Sequence, residues 1–201
     1  MIEINFMDSF NGSNSRIVEI QKVLKEIKKE SWKKQITEIR NHIYNGDSKK
    51  ADYIKKTLPA FTVSATYKEN RKKENIESYT NLLHLDYDKL DNVKEVKAKI
   101  ISIPNTYAAF ISPSGNGIKV LVKSNNNETT HLYAFNALKE YYDEIIGISS
   151  DKAVKDVLRL CFVSSDPDLY LNEDAEVFET QSYPNNETKS QKDIKWVWDF
   201  T

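Results

Sequence analysis

Leu82-Leu83-His84-Leu85-Asp86-Tyr87-Asp88 is the stretch on which the reading of the fold turns. Side chains alternate along a β-strand, so Leu83, Leu85 and Tyr87 share one face while His84, Asp86 and Asp88 share the other. Two carboxylates at i and i+2 on an otherwise apolar strand are costly unless something neutralises them. A hard divalent cation that takes oxygen ligands, such as Mg2+, would do so. Farther along, Ser112-Pro113-Ser114-Gly115-Asn116-Gly117-Ile118-Lys119 is small, glycine-rich and ends in lysine, the kind of segment that holds phosphate. Metal and phosphate together point to nucleotide chemistry.

Working outward, the pattern predicts a strand over about Asn81–Tyr87 and a helix over Asn92–Ile101 with Val93, Val96 and Ile100 inward. Pro104-Asn105 breaks it, and strands follow at Tyr107–Ile111 and Ile118–Lys123. Thr129 or Thr130 caps a helix through Leu132, Phe135, Leu138, Tyr141, Tyr142 and Ile145, and Leu158–Val163 is a last strand. The order β-α-β-β-α-β is that of an α+β, RRM-like or ferredoxin-like sheet with two helices on one face and the other face open. Leu83/Leu85/Tyr87, Ile118/Val120/Val122 and Leu158/Leu160/Phe162 are its expected core sets. His84/Asp86/Asp88, Lys119/Leu121/Lys123 and Arg159/Cys161/Val163 are the sets expected on the open face.

Upstream, Ile2, Ile4 and Phe6 alternate as a short strand. Helices are expected from Arg16 to Glu30 (capped by Ser13 or Ser15), from Ser31 to Asn45-Gly46, and from Lys49 to Lys56, with Phe61–Ala65 extended. This divides the chain into an N-terminal strand and helices (1–66), a core (67–178), and a linker or the start of a further domain (179–201). Gln181–Lys192 has linker composition, and Trp196, Trp198 and Phe200 follow it. No apolar run approaches the length a bilayer needs. The single cysteine, Cys161, excludes an internal disulfide and a Cys-rich zinc site, and the default expectation is cytoplasmic. Lys68, Arg71, Lys72 and Lys73, with Tyr67 and Tyr79 nearby, form a basic cluster suited to tracking a nucleic-acid backbone, or simply a solvated surface.

Three motifs in order resemble a known family: Leu85-Asp86-Tyr87-Asp88, the Ser112–Lys119 segment, and Asp151 followed by Asp156-Val157-Leu158-Arg159-Leu160-Cys161-Phe162-Val163-Ser164-Ser165-Asp166-Pro167. The chain from Leu58 to Phe178 is similar to the N-terminal domain of virulence-associated-protein-E (VirE)-type proteins, a branch of the archaeo-eukaryotic primase–polymerase superfamily. The resemblance implies an RRM-like catalytic sheet that joins nucleoside triphosphates on a DNA template with two Mg2+ or Mn2+ ions. It implies that Asp86 and Asp88 form the first acidic motif and that Asp151 belongs to the third. Ser114, Gly115, Gly117 and Lys119 match the second, with lysine where many relatives carry histidine, and Arg159 matches an arginine near the nucleotide. Single-stranded DNA is the implied template. A helicase is a common companion, but no Gly-Lys-Ser/Thr phosphate loop occurs here, so it would lie beyond Thr201 or on another polypeptide.

Each residue also has a plainer reading. Asp88 can end a strand or cap a helix, Ser112–Gly117 can be a hairpin loop, and Lys119 a solvated lysine. Arg159 can pair Asp156 or Asp151, Asp151 can be a helix N-cap, and Cys161 suits packing better than nucleophilic attack. The rival to an enzyme is an inert RRM-like module that binds single-stranded nucleic acid, although the usual aromatic pattern of RNA-recognition sheets is missing. A cyclase or nuclease would share the same carboxylates.

Overall fold

The computed structural model describes residues 1–10, 12 and 14–180. Ser13, the Gln181–Lys192 tract and Trp196, Trp198 and Phe200 lie outside the described residues. The fold is α+β. In chain order it comprises β1 (Glu3–Met7), β2 (Ser15–Glu19), α1 (Ile20–Lys28), α2 (Lys33–Tyr44), α3 (Ser48–Lys55), β3 (Ala60–Thr62), β4 (Ala65–Tyr67), β5 (Ile76–Tyr79), β6 (Leu82–Tyr87), α4 (Val93–Ile101), β7 (Thr106–Ile111), β8 (Ile118–Lys123), α5 (His131–Ile146), β9 (Leu160–Phe162) and β10 (Tyr170–Leu171). A one-turn helix, Lys152–Lys155, precedes β9.

The central sheet has the antiparallel order β10-β7-β8-β6. Its helices pack on the face predicted for them. Leu83, Leu85 and Tyr87 of β6 and Ile118, Val120 and Val122 of β8 bury against Val96 and Ile100 of α4 and Phe135, Leu138 and Tyr142 of α5. Asn92 caps α4 by accepting from the Glu95 N–H at 3.2 Å, so neither Asp88 nor Asp91 serves as its N-cap. Leu132 and Ile145 of α5 are about half exposed.

The opposite face is not open. A second antiparallel sheet, β2-β1-β3-β9, together with α1 and α2, covers it. Ile4 and Phe6 of β1, Leu24 and Ile27 of α1, Ile36 and Ile39 of α2 and Phe61 of β3 share one core with Leu82, Phe110, Leu121 and Cys161. The helix expected from Arg16 begins only at Ile20, because Ser15–Glu19 pairs with β1 and satisfies the backbone there as a hairpin.

The last strand departs from the RRM-like expectation. β9 pairs with β3, Ala60 opposite Phe162 and Thr62 opposite Leu160, and so joins the second sheet. The free edge of β6 is met instead by the segment around Asp151, whose N–H donates to the Asp86 carbonyl at 2.8 Å. Leu160 consequently packs with Met7 and Ala60, and Leu158 with Ala65 and Tyr67, rather than beneath the helices.

Asp166 ties the two halves together. Its buried carboxylate accepts from Lys97 Nζ of α4 at 2.7 Å and from the Ile111 N–H at 2.8 Å, and its own N–H donates to the Ile27 carbonyl of α1. Asp166→Ala would take the countercharge from a largely buried ammonium, leaving it the Asp168 carbonyl alone, and would strand a backbone donor. The expected cost is about 3–5 kcal/mol, the range for breaking a buried pair from one side. Urea denaturation measures it, and Asp166→Asn should recover part of the loss because an amide oxygen still accepts from Ile111.

Candidate functional site

β6 and β8 pair with Asp86 directly opposite Lys119, and Lys119 Nζ donates to Asp86 Oδ2 at 2.5 Å. The side chains are 14% and 6% exposed, so the pair sits between the two sheets rather than on an open face. Burial alone would drive both groups neutral, but each charge holds the other. Asp86 lies below the usual carboxylate range, helped further by Lys55, while Lys119 stays above the ordinary lysine value through Asp86, Cys161 and Asp88. The solvated-lysine reading of Lys119 is therefore set aside. Asp86 Oδ1 is buried and has no hydrogen-bond partner among the described residues.

His84, two residues earlier on the same face, is 4% exposed, and neither ring nitrogen has a partner among the described residues. Burial and the neighbouring Lys119 push its pKa down to about 3, against the pull of Asp86. Cys161 is buried beside this group, and burial raises its thiol to about 12, which fits packing and not nucleophilic attack.

Asp88 lies one residue past β6 and reaches solvent. The protein packed around it, then Asp86 and Asp151, raise its pKa despite Lys119 and Lys55. Asp151 is the N-cap of the Lys152–Lys155 turn, its Oδ1 accepting from the Ala153 N–H at 2.8 Å. That plainer reading holds, yet the residue is also drawn to β6. Asp143 of α5 accepts from Tyr87 Oη at 3.0 Å and from the Ser150 N–H at 2.9 Å, which docks the Ser149–Asp151 segment against the strand end.

The glycine-rich segment closes the β7–β8 hairpin, as its plainer reading had it, and it also folds onto the same strand end. The Ser112 N–H donates to the Gly117 carbonyl, the Gly115 N–H to the Ser112 carbonyl, and the Leu90 N–H to the Asn116 carbonyl. A Cβ on Gly117 would lie 2.6 Å from the Tyr87 carbonyl oxygen and 2.9 Å from Asp88 Oδ1, so only glycine permits this approach. Gly115 adopts φ +82°, and the Arg40 side chain lies where its Cβ would point. Ser114 Oγ is 2.8 Å from Ser112 Oγ.

Two residues that sequence reasoning did not single out belong here. Arg40 of α2 donates through Nη2 to the Ser112 and Ser165 carbonyls, at 3.3 and 3.1 Å, and so anchors the glycine loop to the chain after β9. Lys55, the last residue of α3, places Nζ 5.3 Å from the centroid of the Phe162 ring. Nothing in the spacing of α2 or α3 distinguishes these cations from their exposed neighbours; only the packing of the helices on the sheet does so.

Arg159 is exposed, and among the described residues it makes no ion pair with Asp156 or Asp151, although its charge reaches His84. The basic cluster is not a continuous track. Lys68 pairs with Glu77, Lys72 with Glu74, and Arg71 donates to the Leu158 carbonyl. Lys73 lines a cavity of about 320 Å³ with His131 and Lys155.

Among the described residues no three His, Cys, Asp or Glu side chains are gathered into one set able to hold a metal ion. The donors nonetheless fit a hard cation in kind. Among the described residues the buried Asp86 Oδ1 has no partner, and Asp88 carries a carboxylate destabilised by burial and by the charges of Asp86 and Asp151.

These features mark an α+β domain with carboxylates and a glycine loop at one strand end. A family model described as BT4734-like, N-terminal domain matches residues 53–171, and the chain belongs to that family. The matched stretch runs from within α3 through β10 and holds the acidic strand, the glycine loop and Asp151. No curated protein matches the chain. Among solved structures, the AEP domain of the cyanophage S-2L primase-polymerase superposes with a TM-score of 0.48 and 9% identity, covering 90% of this chain and 86% of that one. No helix among the described residues is long and apolar enough to cross a membrane.

Gly117→Ala should force the loop off the strand end, because the nearest obstacle is backbone. A loss of about 1–3 kcal/mol, the usual range for overpacking, is expected in the urea midpoint.

Stability should also depend on pH through two buried imidazoles. His84 and His131 are held neutral, with pKa values pushed down to about 3 and about 4, chiefly by burial. The unfolded chain therefore binds more protons below the ordinary histidine value of about 6.5, so stability is complete above it and falls as pH drops toward 4. Each imidazole contributes a slope that rises to about 1.4 kcal/mol per pH unit once the unfolded histidine is fully protonated. Asp88, whose raised pKa acts with the opposite sign, trims the slope only near the carboxylate range. Urea unfolding between pH 7 and 5 measures the slope, and His131→Asn should halve it.

Proposed function

We propose that this chain is a nucleotidyltransferase domain of the primase–polymerase kind, which joins nucleoside triphosphates on a single-stranded DNA template. One observation carries the reading: Gly117 of the phosphate-suited loop packs against Asp88 at the end of the strand that bears Asp86. The resemblance of the three motifs to the VirE-type branch of that superfamily supports it. In the reaction a 3′-hydroxyl oxygen bonds to the α-phosphorus as the bond to pyrophosphate breaks.

Asp86 and Asp88 would hold Mg2+ or Mn2+, with Asp151 at the edge of the site, and the bound ions would stabilise the attacking and leaving oxygens. The chain's own part is positioning and charge. Lys119 keeps Asp86 ionised within the protein interior. The loop at Ser114, Gly115 and Gly117 shapes the floor on which phosphates would lie, and the exposed Arg159 offers a charge-assisted donor to them. Lys68, Arg71, Lys72 and Lys73 would meet the template backbone; among the described residues neither Arg71 nor Lys73 pairs with a glutamate.

In this reading residues 67–178 are the catalytic core, 1–66 pack on it, and 179–201 lead toward a further domain. A helicase, following in the chain or acting in trans, would be its partner in replication of a mobile element or phage within the cytoplasm. A second reading, an inert nucleic-acid-binding module, is favoured by the closed Lys119–Asp86 pair and by the lack of a preassembled three-ligand group among the described residues.

Extension of labelled oligonucleotides on single-stranded DNA with Mg2+ or Mn2+ separates the two. Products from the wild type that vanish in Asp86→Ala and Asp88→Ala are the expected result. DNA binding without products, unchanged in both variants, would leave the inert module as the better account.

A further inference from the structure

The structure assigns Lys55 a role as a ligand for the polyphosphate tail of the nucleotide, contributed to the site by the N-terminal helices. This deepens the nucleotidyltransferase reading and rests on it.

A triphosphate approaching Asp86 and Asp88 meets two carboxylates and needs positive charge that is not already engaged. Lys119 is not free, since its ammonium is bonded to Asp86 and is 6% exposed. The basic residues ahead of β5 are largely engaged elsewhere, with Glu77, Glu74 and the Leu158 carbonyl. Arg40 is tied to the Ser112 and Ser165 carbonyls.

Lys55 differs from all of these. It is half-buried, and among the described residues its ammonium forms no ion pair; what holds it is the face of Phe162 on β9. An aromatic face orients an ammonium without neutralising it, so the charge remains available to an anion. The position is fixed from both sides. α3 leads through Leu58-Pro59 into β3, and β3 pairs with β9 so that Phe61 lies opposite Cys161 and Ala60 opposite Phe162. Phe162 is itself braced by a stacked ring, Phe10, at 4.8 Å. The charge of Lys55 is felt at the site, where it stabilises the ionised forms of Asp86, Asp88 and Cys161. An ammonium held on an aromatic face, with its charge reaching two carboxylates, suits the distal phosphates of a nucleotide.

The test is calorimetric titration of the full chain, with Mg2+ present, by a nucleoside triphosphate whose α–β bridge cannot be cleaved, and separately by inorganic tripolyphosphate. Lys55→Ala, Lys55→Arg and the adjacent Lys56→Ala are compared after checking that their unfolding midpoints match the wild type. The expected result is binding of both probes by the wild type, about tenfold or greater loss in Lys55→Ala as for one charge-assisted contact, recovery of most affinity in Lys55→Arg, and no change in Lys56→Ala. Equal binding by wild type and Lys55→Ala would overturn the role of Lys55 and leave the nucleotidyltransferase reading standing. Weakened single-stranded DNA binding with unchanged triphosphate binding would also overturn it, in favour of a template contact. A wild type that binds neither probe would sink both readings together.

Discussion

The ion pair between Asp86 and Lys119 is the constraint around which the molecule is arranged. It joins facing residues of β6, the edge strand of the central sheet, and β8, on the side where a second sheet closes over it. Two such charges leave water only if they find one another, and removing either alone would leave the other uncompensated at a cost of about 3–5 kcal/mol. The pair therefore dictates register. A one-residue slip of β8 would carry Lys119 to the helix-packed face and place Ile118 or Val120 against the carboxylate. Among the described residues one Asp86 oxygen and both nitrogens of His84 are buried without partners, so polar capacity is concentrated at this point of the interior.

From that pair the surrounding structure can be followed outward. The strand end beyond Asp86 gathers three separate segments, each by a specific contact. Asp143 draws in Ser150 and Tyr87, the Asp151 N–H closes on the Asp86 carbonyl, and Gly117 comes within a hydrogen atom's reach of the Tyr87 backbone. Asp166 and Arg40 then lock this assembly to the N-terminal half, Asp166 through α1, α4 and β7 and Arg40 through the glycine loop. The N-terminal helices thus form part of the site's walls, although the matched family region begins only at residue 53.

Much of this was legible in residue order. The alternation in Leu82–Tyr87 and Ile118–Lys123 gave correct strands and correct faces, because a half-polar strand has one arrangement that buries its leucines and valines. Asn92 caps α4 by its side chain and Gly147 ends α5 in a left-handed conformation, but neither cap is among the expectations from residue order. Where local signals conflicted, tertiary pairing won. Arg16–Glu19 reads equally well as the start of a helix, yet it becomes β2 because β1 offers its backbone a ladder.

By itself, then, the order of residues determined the α+β class, the strand that bears the carboxylates, the turn that follows β7 and the face on which α4 and α5 pack, since each depends on periodicity and on contacts between neighbours in the chain. Tertiary structure alone decided that the charged face would be covered rather than open, that β9 would pair with β3 instead of β6, that Arg40 would anchor the glycine loop and that the charge of Lys55 would reach the acids. Those outcomes depend on which distant surface offers backbone partners and apolar area to an unsatisfied edge or face. Such competition is settled by the whole molecule, and no local pattern records it.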